Sequence, residues 1–155
     1  LAIIRPPLVY GPGVGGNFRA LLRLVDSGVP LPFAAVDNRR SLVALDNLAD
    51  LAMRAAVHPA AAGQILLARD DTDLSTPGLI RALAAGLGRP ARLFAVPQAA
   101  LAIGRRLPGL GAALARRTLS AQLDDAATRA ALGWVPPVAA ADGLALAARA
   151  FRTAG

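Results

Sequence analysis

The chain has 155 residues, of which 55% are apolar and 17% are charged, with a net charge of +7. This composition excludes a disordered chain, and the length allows one sizeable hydrophobic core. The chain contains no cysteine, which excludes disulfides, thiolate nucleophiles and cysteine-based metal sites. The absence of cysteine also favours a cytoplasmic location.

Every basic residue is an arginine, and the chain has neither lysine nor glutamate. A GC-rich coding sequence explains this bias, and an anionic ligand is the functional alternative. The arginines are scattered in pairs and aromatic residues make up only 4%, so a nucleic-acid interface is not predicted. No apolar run of membrane-spanning length is free of charge and proline, so no membrane contact is predicted either.

Apolar periodicity and turn residues predict a mixed α/β chain with few strands and several helices. A helix start is indicated by Ser75 and Pro77, while Asp46 and one of Asp124 or Asp125 are expected to cap two other helices. The predicted strands lie at 1–10, 41–45, 64–68 and 92–96, the first of them buried. The predicted helices lie at 18–27, 47–57, 76–87, 97–106, 110–119 and 140–152. One more helix follows the cap at Asp124 or Asp125 and ends at Leu132.

Residues 11–16 match the pattern G-x-G-x-x-G after a strand and before a helix, as in dinucleotide phosphate loops. Pro12 removes a backbone N–H where such a loop needs donors. A proline-containing loop also precedes the next strand, so we expect no βαβ unit here. The pattern therefore favours glycines that let the loop pass close to a ligand or to another backbone.

Other polar residues each have a functional and a structural interpretation. Arg39 and Arg40 form either a phosphate-binding pair or a solvated pair on a loop. Asn17 opens a helix, where it binds an anion or carbonyl or serves as the N-cap. His58 is expected to cap a helix dipole rather than to catalyse, and Trp134 to anchor packing. No serine has a histidine and aspartate setting, so a hydrolase triad is not predicted.

The segment 4–13, IRPPLVYGPG, resembles the segment after the catalytic-tyrosine helix in extended short-chain dehydrogenases/reductases, the NAD-dependent nucleotide-sugar epimerases and dehydratases. Further matches follow in the family's order at 16–18, 31–33, 40–49, 75–77 and 132–137, and together they cover essentially the whole chain. The resemblance implies that residues 1–155 are the C-terminal substrate-binding part of a Rossmann-type α/β fold. The N-terminal NAD-binding part would then be absent from this chain.

The resemblance also implies roles for individual residues, with no catalytic residue and no metal ligand in this chain. The nucleotide sugar, expected to be UDP-linked, would be bound by Asn17, Phe18, Leu31, Phe33 and Arg40. Arg40 would hold the diphosphate, and Leu31 and Phe33 would line the base pocket. Either Arg116 or Arg117 would supply a second phosphate-binding arginine. Pro6 and Pro7 would lie near the nicotinamide of NAD or NADP, which the missing part would mainly bind.

The activity that the resemblance implies is hydride exchange between a sugar carbon and the nicotinamide, with an upstream tyrosine of a Tyr-x-x-x-Lys pair as acid/base. This chain has no lysine, so alone it should be inactive. In the full-length protein the resemblance implies a homodimer. Leu8 stands where many of these epimerases carry asparagine, which leaves a reductase of sterol- or flavonoid-type substrates open. A non-catalytic binding or scaffold protein is a further alternative.

Overall fold

A computed structural model of the protein describes residues 1–104 and 118–153. The strands are β1 (Ile3–Arg5), β2 (Leu8–Tyr10), β3 (Leu42–Ala44) and β4 (Ile65–Leu67). The helices are α1 (Gly16–Asp26), α2 (Leu45–Val57), α3 (Thr76–Gly86), α4 (Gln98–Gly104), α5 (Ala126–Leu132) and α6 (Ala140–Thr153). The predicted α/β class with few strands and several helices is confirmed. Within the described ranges, no helix has both the length and the apolarity that crossing a membrane requires.

The prediction of one buried strand over 1–10 is wrong, because Pro6 and Pro7 divide it into β1 and β2. Proline has no N–H to donate to a sheet, so pairing stops at this point. The two halves then take different parallel partners, β4 for β1 and β3 for β2. The registers place Ile3 opposite Ile65 and Leu8 opposite Leu42.

The predicted strand at 92–96 is also wrong in extent, since only Leu93 pairs, in an isolated bridge with Leu31. Most of the predicted helix 110–119 and the end of the helix 97–106 lie outside the described residues. So do Arg116 and Arg117.

Helix ends follow local hydrogen-bond chemistry. The Ser75 hydroxyl accepts the Gly78 N–H at 3.1 Å and starts α3 as predicted. Asp46 is not the N-cap of α2, because the helix begins at Leu45 and its N-cap is Ala44. The Asp46 carboxylate lies in the first turn. His58 Nδ1 accepts the Ala60 N–H at 3.2 Å and so caps the following 3-10 turn. His58 is also the C-cap residue of α2, so its expected place at this helix end is confirmed.

Two apolar clusters form the core. The larger one joins α1, α3 and α6 around Tyr10. Gly86 lets α3 approach α6 closely, since a Cβ at this position would lie 2.7 Å from the Ala148 Cβ. The smaller one surrounds Trp134, which is 1% exposed and donates its indole N–H to Asp50 at 2.9 Å. The predicted packing role of Trp134 is confirmed.

A buried carboxyl group connects the elements of the larger cluster. Asp70 is 1% exposed, and its Oδ2 accepts the Tyr10 hydroxyl at 2.6 Å. Its Oδ1 accepts the Ala44 N–H at 2.9 Å and the Asn47 side-chain amide at 2.7 Å. Asn47 in turn exchanges two hydrogen bonds with the backbone of Val138. One carboxyl thus ties β2, the β3–α2 junction and the segment before α6 together.

This network predicts an alkaline limit to stability. Burial, the hydrogen bond to Asp70 and the charges of Asp70 and Asp71 raise the pKa of Tyr10 above its ordinary value. The chain has one tyrosine, no lysine and no cysteine, so no other side chain titrates between about pH 9 and 12. The folded chain keeps a proton that the unfolded chain loses. The free energy of unfolding should therefore be unaffected below pH ~10 and fall above it by about 1.4 kcal/mol per pH unit.

Urea unfolding at a series of pH values measures this slope. Tyr10→Phe removes the titrating group and should flatten the alkaline limb, although it lowers stability at neutral pH by about 1–3 kcal/mol because Asp70 loses a donor. An equally steep limb in Tyr10→Phe would contradict the assignment.

Candidate functional site

Three chain segments meet at Arg40, and we call this arrangement the three-segment junction. Arg40 exchanges two backbone hydrogen bonds with Leu74, both of 3.0 Å. On the other side, Ser41 N–H donates to the Ala121 carbonyl and Ala121 N–H donates to the Arg39 carbonyl, both at 2.9 Å. The half-buried Arg40 is therefore attached to backbone that bridges to Leu74 on one side and to Ala121 on the other.

Side chains cross-link the same three segments. The Ser41 hydroxyl donates to Asp73 at 2.7 Å and accepts the Leu123 N–H at 2.9 Å. The side-chain amide of Gln122 donates to the other Asp73 oxygen at 2.7 Å, and Arg69 lies 3.5 Å from this carboxylate. The carboxylate of Asp73 thus connects the segment of Arg40 and Ser41 with the segment of Gln122.

A buried asparagine makes a further connection. Asn38 is 2% exposed, and its Oδ1 accepts the Thr76 N–H at 2.8 Å. Its Nδ2 donates to the Thr76 hydroxyl and to the Leu119 carbonyl, both at 3.1 Å. Sequence reasoning missed Asn38, Ser41 and Asp73; the polar run around Arg40 was the available signal for the first two.

Next to the junction lies an open cleft of about 410 Å³. It is lined by Val36, Asp37, Ala99, Leu101, Ala102, Thr118 and Leu119. Val36 and Leu101 belong to the same apolar cluster as Leu31, Phe33 and Phe18. Three of the predicted apolar site residues therefore belong to the apolar cluster that reaches the cleft through Val36 and Leu101.

Leu31 and Phe33 are 5% and 4% exposed, so their side chains present little surface to a ligand. Phe18 is 1% exposed and its ring centre lies 5.7 Å from that of Tyr10. Phe18 as a whole therefore presents almost no surface to a ligand. Asn17 is exposed at the start of α1, and it is not the N-cap, which is Gly15. The N-cap interpretation of Asn17 is wrong.

The glycine-rich loop lies between β2 and α1, and the expectation that no βαβ unit follows it is wrong. β2 and β3 are parallel neighbours with α1 between them. The loop nevertheless packs against protein: a Cβ on Gly11 would lie 3.0 Å from the Leu45 Cβ. Gly11 therefore permits a close approach to the start of α2, as the proximity interpretation predicts.

The two candidate cofactor contacts occupy the break between β1 and β2, where Pro6 is exposed and Pro7 is half-buried. The described residues contain no group of three histidine or aspartate side chains that could hold a metal ion. The described part of the candidate site thus offers arginines, polar loop residues and an apolar cleft.

Comparison with known proteins places these features in context. No family model matches the chain. A UDP-glucose 4-epimerase from Vibrio cholerae is 41% identical over 152 residues, which are 97% of this chain and 46% of that protein. The chain therefore spans about half the length of this curated relative.

Solved structures share the fold. UDP-glucuronic acid 4-epimerase from Bacillus cereus, in complex with UDP-glucuronic acid and NAD, superposes with a TM-score of 0.72 at 18% identity, covering 99% of this chain and 46% of that one. UDP-glucose 4-epimerase from Thermotoga maritima, with UDP-glucose, gives a TM-score of 0.66 at 19% identity, covering 97% and 45%. The described strands and helices thus match slightly less than half of each enzyme.

The Asp73 network predicts an acid-sensitive contribution to stability. Burial acts to raise the pKa of Asp73, but hydrogen bonds from Gln122 and Ser41 and the charges of Arg69 and Arg39 outweigh it and lower the pKa. The resulting stabilisation is complete above the unfolded pKa of about 4 and is lost as the pH falls through the folded value.

Asp73→Asn should therefore lower the free energy of unfolding by about 1.5–3 kcal/mol at pH 7, where charged hydrogen bonds are lost, and by less at pH ~2. Urea denaturation at both pH values measures this. The control is Asp142→Asn, on an exposed residue of α6, which should change stability by less than about 0.5 kcal/mol. A difference that does not shrink in acid would refute the role of the Asp73 charge.

Proposed function

We propose that this chain, which belongs by sequence and fold to the extended short-chain dehydrogenase/reductase family, is the substrate-binding portion of a nucleotide-sugar epimerase or dehydratase. The observation that carries the proposal is the three-segment junction, which fixes the backbone of Arg40 next to the open cleft lined by Val36 and Leu101. Because the chain spans about half the length of its relatives, we assign NAD binding and the acid/base to a second portion.

In this proposal the nucleotide lies along the junction. The base packs in the cleft lined by Val36 and Leu101, whose apolar cluster includes the buried Leu31 and Phe33. The Arg40 guanidinium forms a fork on the diphosphate oxygens. Asn17 and the backbone N–H groups at the start of α1 approach the phosphates. Two backbone hydrogen bonds to Leu74 hold Arg40 in place, so binding orders few groups, which favours affinity. Arg116 or Arg117 adds the second phosphate contact.

The groups in this chain suit a substrate site better than a cofactor loop. Pro12 lacks an N–H and Gly11 packs against Leu45, so the pyrophosphate of NAD is assigned to the other portion. Pro6 and Pro7 would border the nicotinamide ring, which when bound supplies the hydride acceptor. A UDP-linked sugar, a homodimer of the whole protein and a cytoplasmic location complete the proposal.

The acid/base of the proposed reaction cannot be Tyr10. This single tyrosine is fully buried, donates to Asp70 at 2.6 Å and has a raised pKa, and the chain has no lysine to lower it. The chain alone should therefore give no turnover of UDP-glucose, measured by chromatographic separation of epimeric UDP-sugars. Detectable turnover by the 155-residue chain would refute this division of roles.

The binding role is tested in a fusion of this chain to the complementary portion, meaning the part of the Vibrio cholerae relative that this chain does not match. Arg40→Ala should weaken UDP binding about 10- to 150-fold in calorimetry, which is about 1.5–3 kcal/mol for a charged hydrogen bond. Arg81→Ala, on an exposed residue of α3, is the matched control and should leave the affinity unchanged. Equal affinity in Arg40→Ala would exclude Arg40 from the site.

A further inference from the structure

A cleft of about 310 Å³ lies between the glycine-rich loop, α1 and α6. Its apolar lining includes Leu22 and Ala147, which are 2% and 1% exposed, and the half-buried Val14, Ala150 and Phe151. Val14 and Phe151 pack against the larger apolar cluster, so this part of the lining is continuous with the core. The volume is at the lower end of the range of ligand pockets, which suits a small molecule.

Two arginines line the same cleft. Arg19 and Arg23 are exposed and stand one turn apart on α1, so their side chains lie on the same side of the helix. Asp26, the one acidic residue of α1, lies outside the lining and pairs with Arg89 at 2.9 Å. Among the described residues, neither Arg19 nor Arg23 has an ion-pair partner. The cleft thus combines an apolar lining with two positive charges that no carboxylate of this lining neutralises.

The cleft is open at the glycine-rich loop. Gly13 has a φ of 76°, a left-handed conformation that glycine adopts without strain. Apart from its chain neighbours, no heavy atom of the described residues lies within 4 Å of the position that a Cβ on Gly13 would occupy. The Val14 N–H donates to the Gly11 carbonyl at 3.3 Å and closes the turn. A ligand can therefore enter past Gly13 without displacing a side chain at this edge.

This cleft is separate from the candidate substrate site. Its described lining shares no residue with the cleft that Val36 and Leu101 line. An α-helix turns by about 100° per residue, so Arg19 lies about 200° around α1 from Asn17. The two arginines therefore face away from the side of α1 that the proposed function assigns to the nucleotide. A ligand bound here would be additional to the nucleotide sugar.

We propose that this cleft binds a small phosphate monoester with an apolar or aromatic body. A phosphate monoester carries about two negative charges near neutral pH and three acceptor oxygens, which suit the guanidinium forks of Arg19 and Arg23. The body packs against Leu22, Ala150 and Phe151, which removes apolar surface from water. The inference goes beyond the proposed function, because it assigns a ligand to residues that have no part in binding UDP or NAD.

The test titrates phenyl phosphate into the fusion of this chain to the complementary portion, in calorimetry with saturating UDP present. The wild type should bind phenyl phosphate at least about tenfold more tightly than inorganic phosphate or phenol, which each offer one half of the ligand. Arg19→Gln and Arg23→Gln should each weaken binding at least about tenfold. Ala150→Leu fills the cleft without removing a charge and should weaken phenyl phosphate but not inorganic phosphate. Arg81→Gln, on an exposed residue of α3 outside the cleft, is the matched control and should change nothing.

No binding of phenyl phosphate by the wild type, equal affinity for inorganic phosphate, or equal binding by all variants would overturn the proposal. Displacement of phenyl phosphate by UDP, or its loss in Arg40→Ala, would place the probe in the nucleotide site and overturn it as well. If circular dichroism shows that Ala150→Leu unfolds, the two arginine variants decide. A fusion that binds phenyl phosphate through Arg19 and Arg23 but does not bind UDP would refute the proposed function and leave this cleft intact.

Discussion

The structure depends on satisfying one buried carboxyl group, that of Asp70. Its three donors come from residues 23, 26 and 60 positions away in the sequence. A buried polar group without partners costs several kcal/mol, so these donors are required wherever Asp70 is buried. Among the described residues, no buried side-chain nitrogen or oxygen lacks a partner. The carboxyl therefore specifies which elements lie together, while the apolar clusters supply most of the burial energy.

The candidate site is built on the same loop. Asp70 donates its own N–H to the Leu42 carbonyl of β3 at 2.8 Å, and Asp73, three residues later, accepts from Ser41. Asp70, at one end of this loop, connects β2, β3 and α2, and Asp73, at the other end, binds the segment of Arg40. A change in the Asp70 network is expected to reach Arg40, the proposed phosphate-binding residue, through the short backbone between these two aspartates.

Features with local causes could be predicted from the sequence. Ser75 with Pro77 starts α3, and Gly133, with φ of 57°, ends α5, because capping and left-handed backbone depend on adjacent residues. The role of Arg40 stays a prediction, which rests on the resemblance of its segment to the family. Pro6 and Pro7 could have predicted the division of the first strand, because proline lacks the N–H that pairing needs. The different partners of the two halves could not be predicted, since the apolar pattern does not identify them.

The polar cross-links of the site were beyond prediction for a similar reason. Ser41 and Asp73 are 32 positions apart and Asp73 and Gln122 are 49 apart, so their hydrogen bonds appear only after the chain has folded. Asn38 looks like an ordinary loop residue in the sequence, yet it is buried and bonds to Leu119, 81 positions away.

The placement of the two chromophores gives the protein a built-in optical readout. Trp134, the single tryptophan, lies in the smaller apolar cluster, and Tyr10, the single tyrosine, lies in the larger one. Indole fluorescence excited at long wavelength therefore reports the layer around β1 and β4, whereas phenol absorbance reports the layer of α1, α3 and α6. Loss of the two signals at different denaturant concentrations would mean that the clusters melt as separate cooperative units.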